Sequence, residues 1–536
     1  MTILNFLKKD LYIIRLSSLL LLTFIIYTRS YPGSDHLNQL GSAFNFIKGN
    51  GFSLGFFDGK EIYYNNLDRW PKFYSIVLAL WLFITKNVNL SFLFGEFSFY
   101  SLFVFSLYQI ISLLFKESVN KNLAINLTAI SLATSIAPFK YGTGMDVACV
   151  SVFLISSVYL YKYYFESLNY KHIVVVFCGL SFICHMRYDY LPKALMFYVF
   201  IIAIDIFQKN TKKHFFLKIL LSFVFFVNFT NIYLSDYFQK SSSSIADVTT
   251  IQTVNFDSYW NVLYAPFINS FFPDFIMYTF LGKFLTSTLS HNYFLFVLIL
   301  SGSSLIILLA LLKNYDIKLI LKNIKKNFTP LTLLFFCISN LATLFVVYGP
   351  FEFYNFSWIE SPYTMAYSGL AIVNRYFLLL HVSTFLLGIY YGLAHKNTFF
   401  RYLIFCSILF GLIHFCYLFS KYSLKKEENR KLVSNTSEVY IDCQKINTIL
   451  NLDNDNNNLL VPLYQNDTIY NRQVTPKQIA RSNGFVIYRT KDSFDSTLEF
   501  NTKFDNVYIC SSTRRKETFK SYETIYKGEI YSLHKK

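Results

Sequence analysis

The chain has 536 residues, 54% hydrophobic and 20% aromatic, only 15% charged, with a mean hydropathy of +0.36. That excludes an ordinary soluble globular chain, which carries about 25% charged residues. The formal net charge of +17 raises nucleic acid as a partner, but the placement of the charges, taken up below, argues for no nucleic acid.

Apolar runs of about 18–25 residues, the length that crosses a hydrocarbon core, recur along the chain. They predict a polytopic α-helical membrane protein with about 11 spans, near 11–29, 93–115, 122–139, 146–163, 172–187, 190–208, 214–235, 291–312, 329–348, 371–393 and 399–420. The first run is long and no small-residue cleavage site follows it, so it reads as a span and not a cleaved signal. With the N-terminus cytoplasmic, the inner segments 1–10, 116–121, 162–171, 209–214, 313–326 and 395–401 hold sixteen Lys/Arg against four Asp/Glu. The outer segments hold about ten against twelve, so the positive-inside rule supports this orientation. Much of the net charge is thus a topology signal.

Between the first two spans lies a long polar interval, 30–92, expected outside the membrane. It carries Asp35 just beyond the first span, a Gly-rich turn (Gly49, Asn50, Gly51) and the cluster Arg69, Trp70, Pro71, Lys72. Residues 73–86, FYSIVLALWLFITK, are apolar but too short to span. A crossing there would also invert the charge pattern, so they read as an interfacial or re-entrant helix. The interval 236–290 is a second long outer loop, polar at Ser241–Ser244 and aromatic at Tyr259, Trp260, Phe271 and Phe272; part of it is expected along the membrane surface. A shorter outer loop, 349–370, carries Glu352, Trp358 and Glu360.

From 421 to 536 the composition turns polar and Asn-rich, with nineteen Lys/Arg and fourteen Asp/Glu. Alternation in Gly484–Arg489, Asn506–Cys510 and Glu529–His534 suggests strands. The expectation is a small C-terminal extracytoplasmic α/β or β-rich domain, after a transmembrane module at 1–420. Six of the eight cysteines fall in apolar runs as small hydrophobic residues; Cys443 and Cys510 are open to pairing if the tail lies outside.

Ionisable groups collect at the expected outer ends of spans: Asp35 and His36 after the first, Asp146 opening the fourth, Arg187 and Asp189 between the fifth and sixth, and Arg375 opening the tenth. Charge at membrane depth is costly and often marks function. Each also has a plainer reading. Asp35 can be a surface acid, Asp146 a helix cap, Arg187 and Asp189 a local ion pair, Arg375 a snorkelling anchor, and His36 a polar neighbour. Glu96 lies near the outer end of the second span. No Walker loop, dinucleotide fingerprint, HExxH or paired CxxC is present, so an enzyme built this way would draw its energy from an activated substrate.

In layout the chain resembles the GT-C superfamily of membrane glycosyltransferases, which includes protein O-mannosyltransferases and bacterial aminoarabinose transferases. The resemblance rests on Ser34-Asp35-His36, Gly49-Asn50-Gly51-Phe52-Ser53, Trp70-Pro71-Lys72-Phe73-Tyr74, Asp146, the stretch Gly179 to Asp189, and Arg375-Tyr376. It covers about residues 1–420, and departs from many relatives in having His36 where Glu is common and Pro71 alone where a proline pair is usual. What it implies is an inverting transfer of a sugar from a polyprenyl-phosphate donor to a cell-envelope acceptor (lipid, glycan or protein), on the extracytoplasmic face of a bacterial inner membrane. In that reading Asp35 and Asp146 are catalytic, and Arg375, Arg69, Lys72 and Arg187 bind the donor phosphate. His36 and Asp189 orient substrate, and a divalent cation at Asp35 and Asp146 is left open. The alternatives are a transporter or flippase, or a polymerase or ligase, of lipid-linked saccharides, and a membrane scaffold. No internal repeat of the kind many transporters show is visible.

Overall fold

The computed structural model describes the chain from Ser34 onward, apart from 135–143, 233–266, 273–292, 314–323, 349–376, 425–441, 463–479, 489–503, 513–521 and some shorter breaks. The expected first span, 11–29, lies outside the described residues.

In chain order the elements are α1 (Ser34–Ile47), β1 (Ser53–Phe57), β2 (Ile62–Asn66), α2 (Phe73–Thr85), α3 (Val88–Leu114), α4 (Lys121–Thr134), α5 (Gly144–Lys162), α6 (Tyr170–Cys184), α7 (Leu191–Phe207), α8 (Phe215–Ile232), α9 (Tyr293–Lys313), α10 (Ile324–Tyr348), α11 (Leu378–Leu393), α12 (Thr398–Leu424), β3 (Asn458–Pro462), β4 (Val486–Tyr488), β5 (Asn506–Ser512), β6 (Glu523–Lys527) and β7 (Tyr531–Lys535). They form two compact units, one built on Ser98–Tyr417 and the other on Ile25–Phe97 with Leu418–Lys536.

The first unit is a bundle of apolar helices. Each expected span from 93–115 onward overlaps a described helix, though parts of 122–139, 214–235, 291–312 and 371–393 lie outside the described residues. Among the described residues, Leu90–Leu114, Gly144–Ser167 and Ile324–Leu344 are long and apolar enough to cross a membrane. Side chains on the outward faces of α8 and α12 are bulky and apolar: Phe216 is 85% exposed, Tyr402 71%, and Phe223 and Phe405 follow closely. Water would penalise such faces by roughly 25 cal/mol per Å², whereas lipid tails would not. Inside, Phe153, Phe197 and Phe336 meet edge to face, joined by the stacked pair Phe200 and Phe335.

Local sequence sets the helix ends. Asn169 caps α6 by accepting from the Lys171 amide. Pro192 sits in the first turn of α7, where no intrahelical donor is needed. α5 runs into a π-helical turn, Tyr163–Ser167, which Leu168 closes in the left-handed region. Gly179 lets α6 press against α5, since a Cβ there would lie 2.8 Å from Ser156 Oγ and 2.9 Å from Val152 Cγ1.

The only described part of the second outer interval, 267–272, is a short 3₁₀ turn at Ile268–Ser270 buried among α9, α11 and α12. Its backbone is satisfied by hydroxyls from the helices. The Phe267 amide donates to Ser304 Oγ, and Ser407 Oγ donates to the Phe271 carbonyl. Gly388 leaves the room that the Phe271 ring fills. Irregular backbone enclosed by a helix bundle needs such partners. The described portion is therefore interior; the remainder of the interval, expected in part along the membrane surface, lies outside the described residues.

The second unit contains a seven-stranded mixed sheet, ordered β2-β1-β4-β3-β5-β7-β6. β1, β4, β3 and β5 run parallel, while β2 at one side and β7 and β6 at the other are antiparallel to their neighbours. β3 is buried along its whole length, as a central parallel strand should be. Phe57, Leu459, Val461, Val486, Tyr488, Val507 and Ile509 form its core cluster. The strands expected near 484–489, 506–510 and 529–534 are β4, β5 and β7. The β1–β2 hairpin, however, comes from the interval after the first span and pairs with β4 of the tail through Phe56–Ile487 and Phe57–Tyr488. The tail's sheet is thus completed by residues some four hundred positions upstream.

The chain reaches that hairpin through the predicted Gly-rich turn. Gly49 and Gly51 hold φ of +84° and +68°, which side-chain-bearing residues rarely adopt. Asn45 Nδ2 donates to the Ser53 carbonyl across the turn, and Phe46 stacks on Phe52.

Candidate functional site

At one end of the helix bundle two charges meet. Asp146 sits in the first turn of α5 and its side chain is fully buried. Arg187 follows the end of α6, and its Nη1 lies 2.7 Å from Asp146 Oδ1. α5 and α6 are antiparallel neighbours, so the start of one meets the end of the other, and Gly179 allows the close approach. The carboxylate also lies at a helix N-terminus, where the backbone dipole favours negative charge. This places two of the sequence-predicted site residues in direct contact. Arg187 pairs with the distant Asp146; its near neighbour Asp189 lies outside the described residues.

A third charge belongs to this end. Lys193, in the first turn of α7, is wholly buried, with Nζ 4.0 Å from the Tyr190 ring centroid. The Tyr190 amide donates to the Arg187 carbonyl. A desolvated cation on an aromatic face is a strong electrostatic contact. In the sequence the signal for Lys193 is a lysine inside an otherwise apolar run.

In the other unit, α1 carries Asp35 and His36 in its first turn. Nothing is described of the Asp35 side chain. His36 is partly buried, its ring 5.8 Å from that of Tyr74 and 5.2 Å from that of Phe92, with Nε2 4.0 Å from Glu96 Oε1. Lys72 is exposed just before α2. Arg69 and Arg375 lie outside the described residues, as does Cys443, the proposed partner of the buried Cys510.

Among the described residues, no group of three or more His, Cys, Asp and Glu side chains is placed to hold a metal ion. Asp146 already faces a guanidinium at 2.7 Å, and a divalent cation at the same oxygen would be repelled by it.

A second polar network occupies the opposite ends of α5 and α7, about 27 Å along the chain's helical path from Asp146 to Tyr164 at ~1.5 Å per residue. Asp205 at the end of α7 accepts from Lys218 Nζ at 2.6 Å and from the Tyr164 hydroxyl at 2.7 Å. Tyr163 Oη lies 3.2 Å from His214 Nδ1. This network ties α5, α7 and α8 together at the end that the charge pattern assigns to the cytoplasm.

No family model matches the chain, and no curated protein does. Among solved structures, the chain is similar to the crystal structure of ArnT from Cupriavidus metallidurans bound to undecaprenyl phosphate. The two are 10% identical, the likeness covers 98% of this chain and 97% of that one, and the TM-score is 0.46.

Proposed function

We propose that this chain is an integral-membrane inverting glycosyltransferase that moves a sugar from a polyprenyl-phosphate donor to a cell-envelope acceptor on the extracytoplasmic face. The observation that carries the reading is the Asp146–Arg187 pair, with Lys193 close by in sequence and fold, at one end of an otherwise apolar bundle. Cations held at the end of membrane helices suit a ligand that is apolar along its length and anionic at its head. The motif order from Asp35 to Arg375 supports the same reading.

The chemistry is then as follows. Asp35 accepts the proton of the acceptor hydroxyl. The oxygen attacks the anomeric carbon as the bond from that carbon to the phosphate oxygen breaks, and the electron pair leaves with the lipid phosphate. Attack from the opposite side inverts the anomeric centre. The leaving phosphate gains charge, which Arg375, Arg69, Lys72 and Arg187 would stabilise. A guanidinium has five N–H donors, so Arg187 can hold Asp146 and still address a phosphate oxygen. In this scheme Asp146 orients Arg187, His36 and Asp189 orient substrate, and no step passes through a metal ion.

The test compares membranes holding wild type and Asp35→Asn at equal abundance. Lipid-linked sugars and envelope glycans are extracted and compared by mass spectrometry. Loss of one sugar from the glycan, with its polyprenyl-phosphate form accumulating, is expected. Identical profiles would remove Asp35 as the base and favour a transporter or a scaffold.

A further inference from the structure

Glu96 is the single charged residue in the 27-residue helix α3 and is almost fully buried. Three elements converge on it. From α2, the Tyr74 hydroxyl donates to Glu96 Oε1 at 2.5 Å. From α1, His36 stands over the same oxygen at 4.0 Å. One helical turn before Glu96, Phe92 presents its ring to the His36 ring. Gly95 makes the junction tight: a Cβ there would lie 2.8 Å from Leu78 Cδ2, and Leu78 is one turn beyond Tyr74 on the same face of α2. α1 brings an apolar face to this junction, with Leu37, Leu40 and Phe44 all buried.

The burial of a lone acid in an apolar helix is costly unless its hydrogen bonds and charge are answered. Here the Tyr74 hydroxyl on the short apolar helix α2 supplies the hydrogen bond, and the His36 ring faces the same oxygen from the helix that carries Asp35. We infer that Glu96 is a positioning residue of the proposed reaction. Through His36 it fixes the first turn of α1, and so the placement of Asp35 one residue earlier. Tyr74 fixes the carboxylate in turn. The inference rests on the reading of Asp35 as the base, and is tested so that the two can fail separately.

Donor for the assay is the lipid-linked sugar fraction extracted from Asp35→Asn membranes, titrated into membranes of each full-length variant at matched abundance. Transfer is followed by mass spectrometry, and apparent kcat and KM are obtained from the titration. Glu96→Ala is expected to lower kcat at least tenfold while KM for the donor moves by less than threefold. Glu96→Gln keeps an acceptor for Tyr74 but not the charge facing His36, and is expected to lose three- to tenfold in kcat. Tyr74→Phe is expected to lose two- to threefold. Should Glu96→Ala fail to accumulate, Glu96→Gln decides. Wild-type kcat in Glu96→Gln, or a fall confined to KM, overturns the inference while leaving the Asp35 reading intact. If Asp35→Asn itself transfers sugar normally, the underlying reading fails first.

Discussion

Removing either member of the Asp146–Arg187 pair should be costly, and the two removals should not be equal. The Asp146 side chain is fully buried, whereas Arg187 keeps 12% of its surface accessible. Breaking a buried ion pair by deleting one partner costs roughly 3–5 kcal/mol, because the survivor is left charged and desolvated. Arg187→Ala strands the fully buried carboxylate and belongs near the upper end, about 5 kcal/mol. Asp146→Ala strands a guanidinium that can still reach polar surroundings, so about 3 kcal/mol is expected. The double variant removes both charges, and its cost should fall short of the summed singles by about 1–3 kcal/mol, the usual coupling between residues in contact. The assay is unfolding of the purified chain in nanodiscs, read by a thiol-reactive fluorogenic dye. The chain assayed keeps only Cys149 and Cys184, fully buried in α5 and α6, with the other six cysteines (exposed Cys178 among them) replaced by serine, so the dye reports opening of the two helices that carry the pair. Either single variant within 1 kcal/mol of wild type, or a double variant equal to the summed singles, would refute the reasoning.

Two further outcomes follow from packing and titration. Gly179→Val places its branch against Ser156 and Val152, and should destabilise the bundle by about 1–3 kcal/mol in the same dye assay. A wild-type result would mean that α5 and α6 separate easily. In the sheet, His534 is hydrogen-bonded through Nδ1 to the Thr524 hydroxyl and through Nε2 to the Ser511 hydroxyl, one ring nitrogen donating and the other accepting, and burial lowers its pKa below the usual histidine value. The folded state therefore binds the proton more weakly than the unfolded state. Its contribution is fully present above the unfolded pKa, near 6.5, and is lost as pH falls through the lower folded value. Protection factors of the β5 and β7 amides, corrected for the intrinsic pH dependence of exchange, should fall at pH 5 relative to pH 7.5, and His534→Gln should flatten that difference. Equal pH dependence in the variant would exclude His534 as the cause.

The legibility of this chain follows the range of the forces involved. Helix α2 was readable because its thirteen residues are apolar yet too short to cross a bilayer, and its buried Tyr74, Leu78 and Leu82 oppose exposed Ile76, Leu80 and Phe83. Strands β4, β5 and β7 were readable from local alternation and flanking polar residues. The Gly49–Gly51 turn was readable because a positive φ selects for glycine. Asp146 and Arg187 were each visible as charges at span ends, but their pairing was not, since Asp189 offered Arg187 a nearer acid in sequence.

Composition and patterning by themselves determined that the chain is built of apolar helices, which end of each helix carries charge, and that a polar, strand-forming tail follows. These are properties of single segments, fixed by hydropathy and by the backbone preferences of a few residues. Only the tertiary structure decided that the β1–β2 hairpin completes the tail's sheet, that residues 267–272 lie inside the helix bundle, and that Glu96 gathers His36 and Tyr74. Each joins segments distant in sequence, and each is settled by how buried polar groups find partners once the apolar faces have been matched. A linear pattern does not encode that matching, because many segments of similar hydropathy could supply it.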